Sequence, residues 1–72
     1  MEIRWLEDYN VEIVDSFDEQ QDEVNEMHIA RFNKGDINDV DIIEDRKYTV
    51  DMKFSDGSMG FSVNKKWFEK VN

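Results

Sequence analysis

Met52-Lys53-Phe54-Ser55-Asp56-Gly57-Ser58-Met59-Gly60-Phe61-Ser62-Val63 decides the fold class. On its N-terminal side, Tyr48 to Phe54 alternates Tyr48, Val50, Met52 and Phe54 with Thr49, Asp51 and Lys53. On its C-terminal side, Met59 to Val63 alternates Met59, Phe61 and Val63 with Gly60 and Ser62. A period of two puts each apolar set on one face of a strand. Between them, Asp56-Gly57 supplies the positive φ angles of a tight hairpin turn. Two half-apolar strands joined this way need further strands to cover them.

The flanking sequence supplies these. Asp39 to Glu44 carries Val40, Ile42 and Ile43, and Asn33-Lys34-Gly35-Asp36 and Glu44-Asp45-Arg46-Lys47 read as turns. Asn64-Lys65-Lys66-Trp67 predicts one tight helical turn before a last strand, Phe68 to Val71. Upstream, Asn10 to Asp15 has strand character, with Ile3, Trp5 and Leu6 expected to pair with it. Ser16-Phe17-Asp18-Glu19 fits the capping box, which predicts a helix from Phe17 to about Met27. Phe17, Val24 and Met27 or His28 make only a thin apolar stripe, so a disordered acidic loop is the competing expectation. The whole reads as a mainly β chain of one domain, with an acidic N-terminal strand or helix extension over 1–26 and short strands over 27–72. Strands this short hide their edges by curling into a barrel.

At 72 residues the core is small, worth no more than about 3 to 5 kcal/mol, and such domains lean on disulfides, metals or a second subunit. Cysteine is absent, which excludes disulfides and thiolate metal sites. Homodimerisation is the remaining support, and Trp5 and Trp67 are the candidates for a subunit contact. Phe54, Phe61 and Phe68 are expected in the core. Met1 is followed by Glu2, Arg4 and Glu7 rather than a basic and then apolar signal region, and no apolar run is long enough to cross a bilayer. A cytoplasmic protein is expected.

Charge is distributed unevenly. Residues 1 to 26 hold ten carboxylates against Arg4 alone, a net −9, whereas residues 27 to 72 hold eight acids and eight bases. An acidic block is commonly a solvated face, but on a folded scaffold it imitates the phosphates of a nucleic acid. Were residues 18–26 helical, Asp18, Glu19, Asp22, Glu23 and Glu26 would follow one another at roughly 2.4 Å per charge. That lies between the ~1.7 Å of duplex DNA and the ~3.4 Å of one strand. These five are the candidate partner-binding residues, with Glu7, Asp8, Glu12 and Asp15 in support. Such acidity repels nucleic acid and anionic lipid and favours a basic protein partner.

Other chemistries fit poorly. Calcium-loop spacing fails at the third ligand from Asp36 (Asn38, Val40) and from Asp39 (Asp41, Ile43). With His28 the lone histidine and no nucleophile turn, catalysis has no motif. Gly57-Ser58-Met59-Gly60 is explained by a hairpin rather than by phosphate binding. No cofactor or metal is expected.

Phe32-Asn33-Lys34-Gly35-Asp36, Val40 to Ile43, Phe54-Ser55-Asp56-Gly57, and Phe61 to Val71 together resemble, in order, the diverging turn, strands, distal hairpin, single helical turn and last strand of an SH3-like barrel. The resemblance covers the second half of the chain. Proline-binding SH3 domains carry a tyrosine-rich segment, a tryptophan pair and a Pro-x-x-Tyr where this chain has Met27 to Arg31, Tyr48-Thr49-Val50 and Asn64 to Trp67, so proline-rich ligands are not implied. In size, charge and expected fold the chain is also similar to phage-encoded inhibitors of the bacterial DNA sliding clamp. That resemblance implies a homodimer that occupies the channel meant for DNA. The expected function is therefore a non-enzymatic DNA mimic that blocks a basic DNA-binding surface of a host replication protein. The alternative is an SH3-like adaptor binding a peptide through Trp5, Tyr9, Phe32, Tyr48, Trp67 and Phe68.

Overall fold

Alternation of apolar and polar residues governs the architecture seen in the computed structural model. It describes the backbone of residues 1–18 and 23–71 and the side chains of residues 1–14 and 27–71. Seven strands follow one another: Glu2–Trp5 (β1), Tyr9–Asp18 (β2), Glu23–Phe32 (β3), Ile37–Asp45 (β4), Thr49–Phe54 (β5), Met59–Asn64 (β6) and Phe68–Lys70 (β7). A single 3-10 turn, Lys65–Trp67, separates β6 from β7, and Asn64 caps it by accepting from the Lys66 amide at 2.8 Å. No helix of the described residues is long and apolar enough to cross a membrane.

The strands form one antiparallel sheet in the order β3-β2-β6-β5-β4-β1-β7. β4 serves both halves: Ile37 to Asp39 pair with β1, and Val40 onward pairs with β5. β1 also pairs with β7, Trp5 opposite Phe68. The expected mainly β fold is present. Closure is not: among the described residues β3 and β7 are the two ends of an open sheet.

The largest correction concerns the N-terminal third. Phe17, Asp18 and residues 23–27 are strand, not helix, and Ser16 of the expected capping box lies inside β2 opposite Glu26. Glu19 falls outside the described residues. The physical reason is the β-branched content at alternate positions, Val11 and Ile13 on β2, which buries one face of the strand and outweighs a cap with little apolar stripe behind it. Nor does β1 pair with β2. Ile3 and Trp5 turn inward from a strand held between β4 and β7.

Ile3, Trp5, Val11, Ile13, Val40, Val50, Met52, Phe54 and Val63 make the core. Trp5 sits at its centre with no exposed surface, its ring stacked on Phe32 at 4.5 Å and its indole N–H donating to Asn38 Oδ1 at 2.9 Å. Stacked rings add about 0.5 to 1.5 kcal/mol each beyond their burial. Phe61 is a second correction, being 41% exposed rather than core. Between Val50↔Val63 and Met52↔Gly60 the β6 strand carries one extra residue, and Ser62 takes φ +56° there. This bulge breaks the alternation, so Phe61 leaves the inner face.

The turns follow the glycines with one refinement. Gly57 at φ +92° is the left-handed residue of the β5–β6 turn and Asp56 is not. The Gly57 amide donates to Phe54 O at 3.0 Å, and the Phe54 amide to Ser58 O at 2.8 Å. The third turn lies at Arg46 to Tyr48, because β4 continues through Asp45.

Candidate protein-docking surface

β2 and β3 form a two-stranded arm of ten residues each, from Tyr9↔Phe32 at its base to Asp18↔Glu23 at its far end. Among the described residues Ile13 and Val14 of β2 pair with β6, and Tyr9, Val11, Ile13, Ala30 and Phe32 pack in or against the core, so the base half of the arm is anchored to the rest of the molecule. Its base is fixed by Asp8, whose Oδ1 accepts from the Lys34 amide at 2.8 Å and whose Oδ2 meets Arg31 Nη2 at 3.2 Å. Gly35, at φ +89°, lets that turn close while its amide donates to Trp5 O at 2.8 Å. Glu7 lies 4.0 Å from Lys34 Nζ.

The expected acidic residues are therefore distributed along one element. Glu12 is exposed on β2, opposite Ile29. Asp15 and Asp18 follow on β2, and Glu23 and Glu26 lie on β3, Asp18 directly across from Glu23 and Ser16 from Glu26. Glu19 and Asp22 lie outside the described residues. The six residue steps from Glu12 to Asp18 span about 20 Å at ~3.3 Å per residue. Five acidic residues fall along that length of the paired backbone, Asp18 and Glu23 at the same level. Glu7 and Asp8 belong to the base, and Asp8 is committed to local contacts.

The dimer candidates separate. Trp5 is fully buried and has no surface to offer a second subunit. Trp67 is half-buried and stacks on Tyr9 with centroids 4.4 Å apart.

Two features escaped sequence reasoning. A cleft of about 240 Å³ opens beside the β5–β6 turn, with Ile13, Ala30, Phe32 and Phe54 as apolar lining and His28 and Asp56 at its rim. Ser58 donates to Asp56 Oδ1 through its hydroxyl at 2.6 Å and its amide at 2.9 Å, and these bonds hold the Asp56 carboxyl below the usual range. The second feature is Asp51, nearly buried in β5 and gripped by Arg46. The cleft needs β2, β3 and β5 brought together, and the Asp51 partners lie across the two turns that flank β5. Among the described residues, no three carboxylates or imidazoles converge as a metal site.

The chain is thus a small open-sheet β protein with an acidic two-stranded arm. No family model, curated protein or solved structure matches it.

Proposed function

We propose that this protein is a non-enzymatic DNA mimic, phage-encoded and cytoplasmic in the host bacterium, whose acidic arm enters a basic DNA-binding surface of a replication protein. The resemblance stated above nominates the channel of the DNA sliding clamp. The observation that supports the reading is the strand pairing of residues 9–18 with 23–32, which brings the backbone positions of Glu12, Asp15, Asp18, Glu23 and Glu26 onto one two-stranded element. Complementary charge of this kind speeds encounter and excludes the competitor by occupancy. An SH3-like scaffold is supported by the strand shared between two halves, β4, and by the 3-10 turn immediately before the last strand. A homodimer through the half-exposed Trp67 belongs to the same proposal.

The adaptor reading has one observation in its favour, the half-buried Tyr9–Trp67 stack, a ready platform for a flat side chain. Competition decides between the two. Purified sliding clamp, its loader and labelled circular duplex are mixed with the protein, and clamp loading is followed. The mimic abolishes loading and is displaced by excess duplex. Binding that leaves loading untouched, or no binding to the clamp at all, overturns the proposal.

A further inference from the structure

The outer edge of β3 carries a site that the acidity alone does not describe. Among the described residues β3 pairs with β2 and with nothing else, so one side of its ten-residue backbone has no ladder partner. Exposed edges are normally blunted by proline, lysine or a bulge. β3 contains neither proline nor lysine, its one arginine, Arg31, is paired with Asp8, and the irregular register lies beyond residue 27, toward the far end. The edge from Met27 to Phe32 is therefore a regular, open template.

Its outer face is not neutral in character either. Met27 is 56% exposed and Ile29 is 61% exposed, two positions apart on the same face. With Glu12 and His28 they line a shallow groove of about 210 Å³. Glu12 stands across from Ile29, so a carboxylate flanks the apolar pair. Backbone groups for main-chain bonding and apolar contacts for alternate side chains are what strand addition by an extended peptide uses.

We infer that the β3 edge binds an extended segment of the partner protein in which apolar residues alternate with lysine or arginine, adding it to the sheet as an eighth strand. Charge complementarity selects this occupant: Glu12 lines the groove and the chain as a whole carries −9, which attracts a basic strand. The Glu12 carboxylate in the groove disfavours a second acidic copy at this edge. The inference deepens the proposed docking, giving the arm a seat as well as a field, but its test does not use the clamp or DNA.

The test uses a capped seven-residue peptide alternating lysine and valine, a lysine-only peptide of equal charge, and 15N-labelled full-length protein. The alternating peptide should shift amide resonances of residues 26–32 and slow hydrogen exchange at alternate β3 amides. The lysine-only peptide should bind at least tenfold more weakly there. Ile29→Lys and Met27→Lys, both at exposed positions, should each weaken the alternating peptide tenfold or more with an unchanged circular dichroism spectrum. Equal binding of the two peptides, shifts that avoid 26–32, or β3 amides already slowed in a concentration-dependent way without peptide would each overturn the inference, the last by showing that a second copy fills the edge.

Discussion

Arg46 and Asp51 meet in a two-pronged ion pair, Nη1 to Oδ1 and Nη2 to Oδ2, each at 2.7 Å. Asp51 Oδ1 also accepts from the Ser62 amide at 2.8 Å, so one carboxylate joins the turn after β4 to the bulge in β6. Arg46 is the main cause, and the Ser62 amide a lesser one, that holds Asp51 below the usual carboxylate range. A carboxylate lowered on folding contributes stability above its unfolded value of about 3.9, and the contribution is lost as pH falls through the folded value. Urea midpoints measured from pH 7 to pH 2 should therefore fall more steeply below about pH 4 for the native chain than for Asp51→Asn. Parallel curves for the two would show that the pair does not couple folding to acid.

Trp5 and Trp67 should differ sharply when truncated. Removing a fully buried tryptophan costs about 3 to 5 kcal/mol, which matches the whole of what a core this small provides. Trp5→Ala is expected to be unfolded at 25 °C by far-ultraviolet circular dichroism. Trp67→Ala loses one stacked, half-exposed ring, a cost of about 1 to 2 kcal/mol, and should remain folded with a lowered midpoint.

Asp18 opposite Glu23 is a like-charge pair at one cross-strand position, and such pairs destabilise a ladder. Glu23→Lys should raise stability by about 0.2 to 1 kcal/mol in a urea titration. The same change should weaken binding to the sliding clamp. A variant that gains stability and keeps full affinity would show that the far end of the arm plays no part in docking.

Neutralising Asp18, Glu19, Asp22 and Glu23 to their amides takes the chain from −9 to −5. Affinity for the clamp should drop roughly tenfold or more at 0.1 M salt, where charges are felt over about 10 Å, and the difference should nearly vanish at 1 M, where that range is about 3 Å. Isothermal titration at both salt concentrations reads this directly. An aromatic groove would respond little to salt.

The second half of the chain was legible because its signals are local. Asp56-Gly57, Gly35 and the alternation around Val50, Met52 and Phe54 name turns and strands without knowledge of what packs on them. The arm was half legible. Val11 and Ile13 announced a strand, but Ser16 and Glu19 offered a competing helix start, and nothing local reveals that residues 23–32 pair back on 9–18. The burial of Trp5 is not legible locally because it depends on Phe32 of β3, Asn38 of β4 and Phe68 of β7, residues that only the folded sheet brings together. The exposure of Phe61 is not legible in the sequence because a one-residue bulge at Ser62 leaves no mark in composition. The acidic residues are legible from charge alone, and strand pairing places their backbone positions along two strands rather than on one helix.

The unguarded β3 border has a cost under acid conditions. At neutral pH, mutual repulsion between chains of charge −9 keeps those borders from meeting one another. Near the isoelectric point of about 4.3 that repulsion disappears while the backbone template persists. Acidification should therefore let two such borders pair into one continuous sheet, a concentration-dependent dimer that light scattering would read, so the surplus of carboxylates also serves as the molecule's protection against itself.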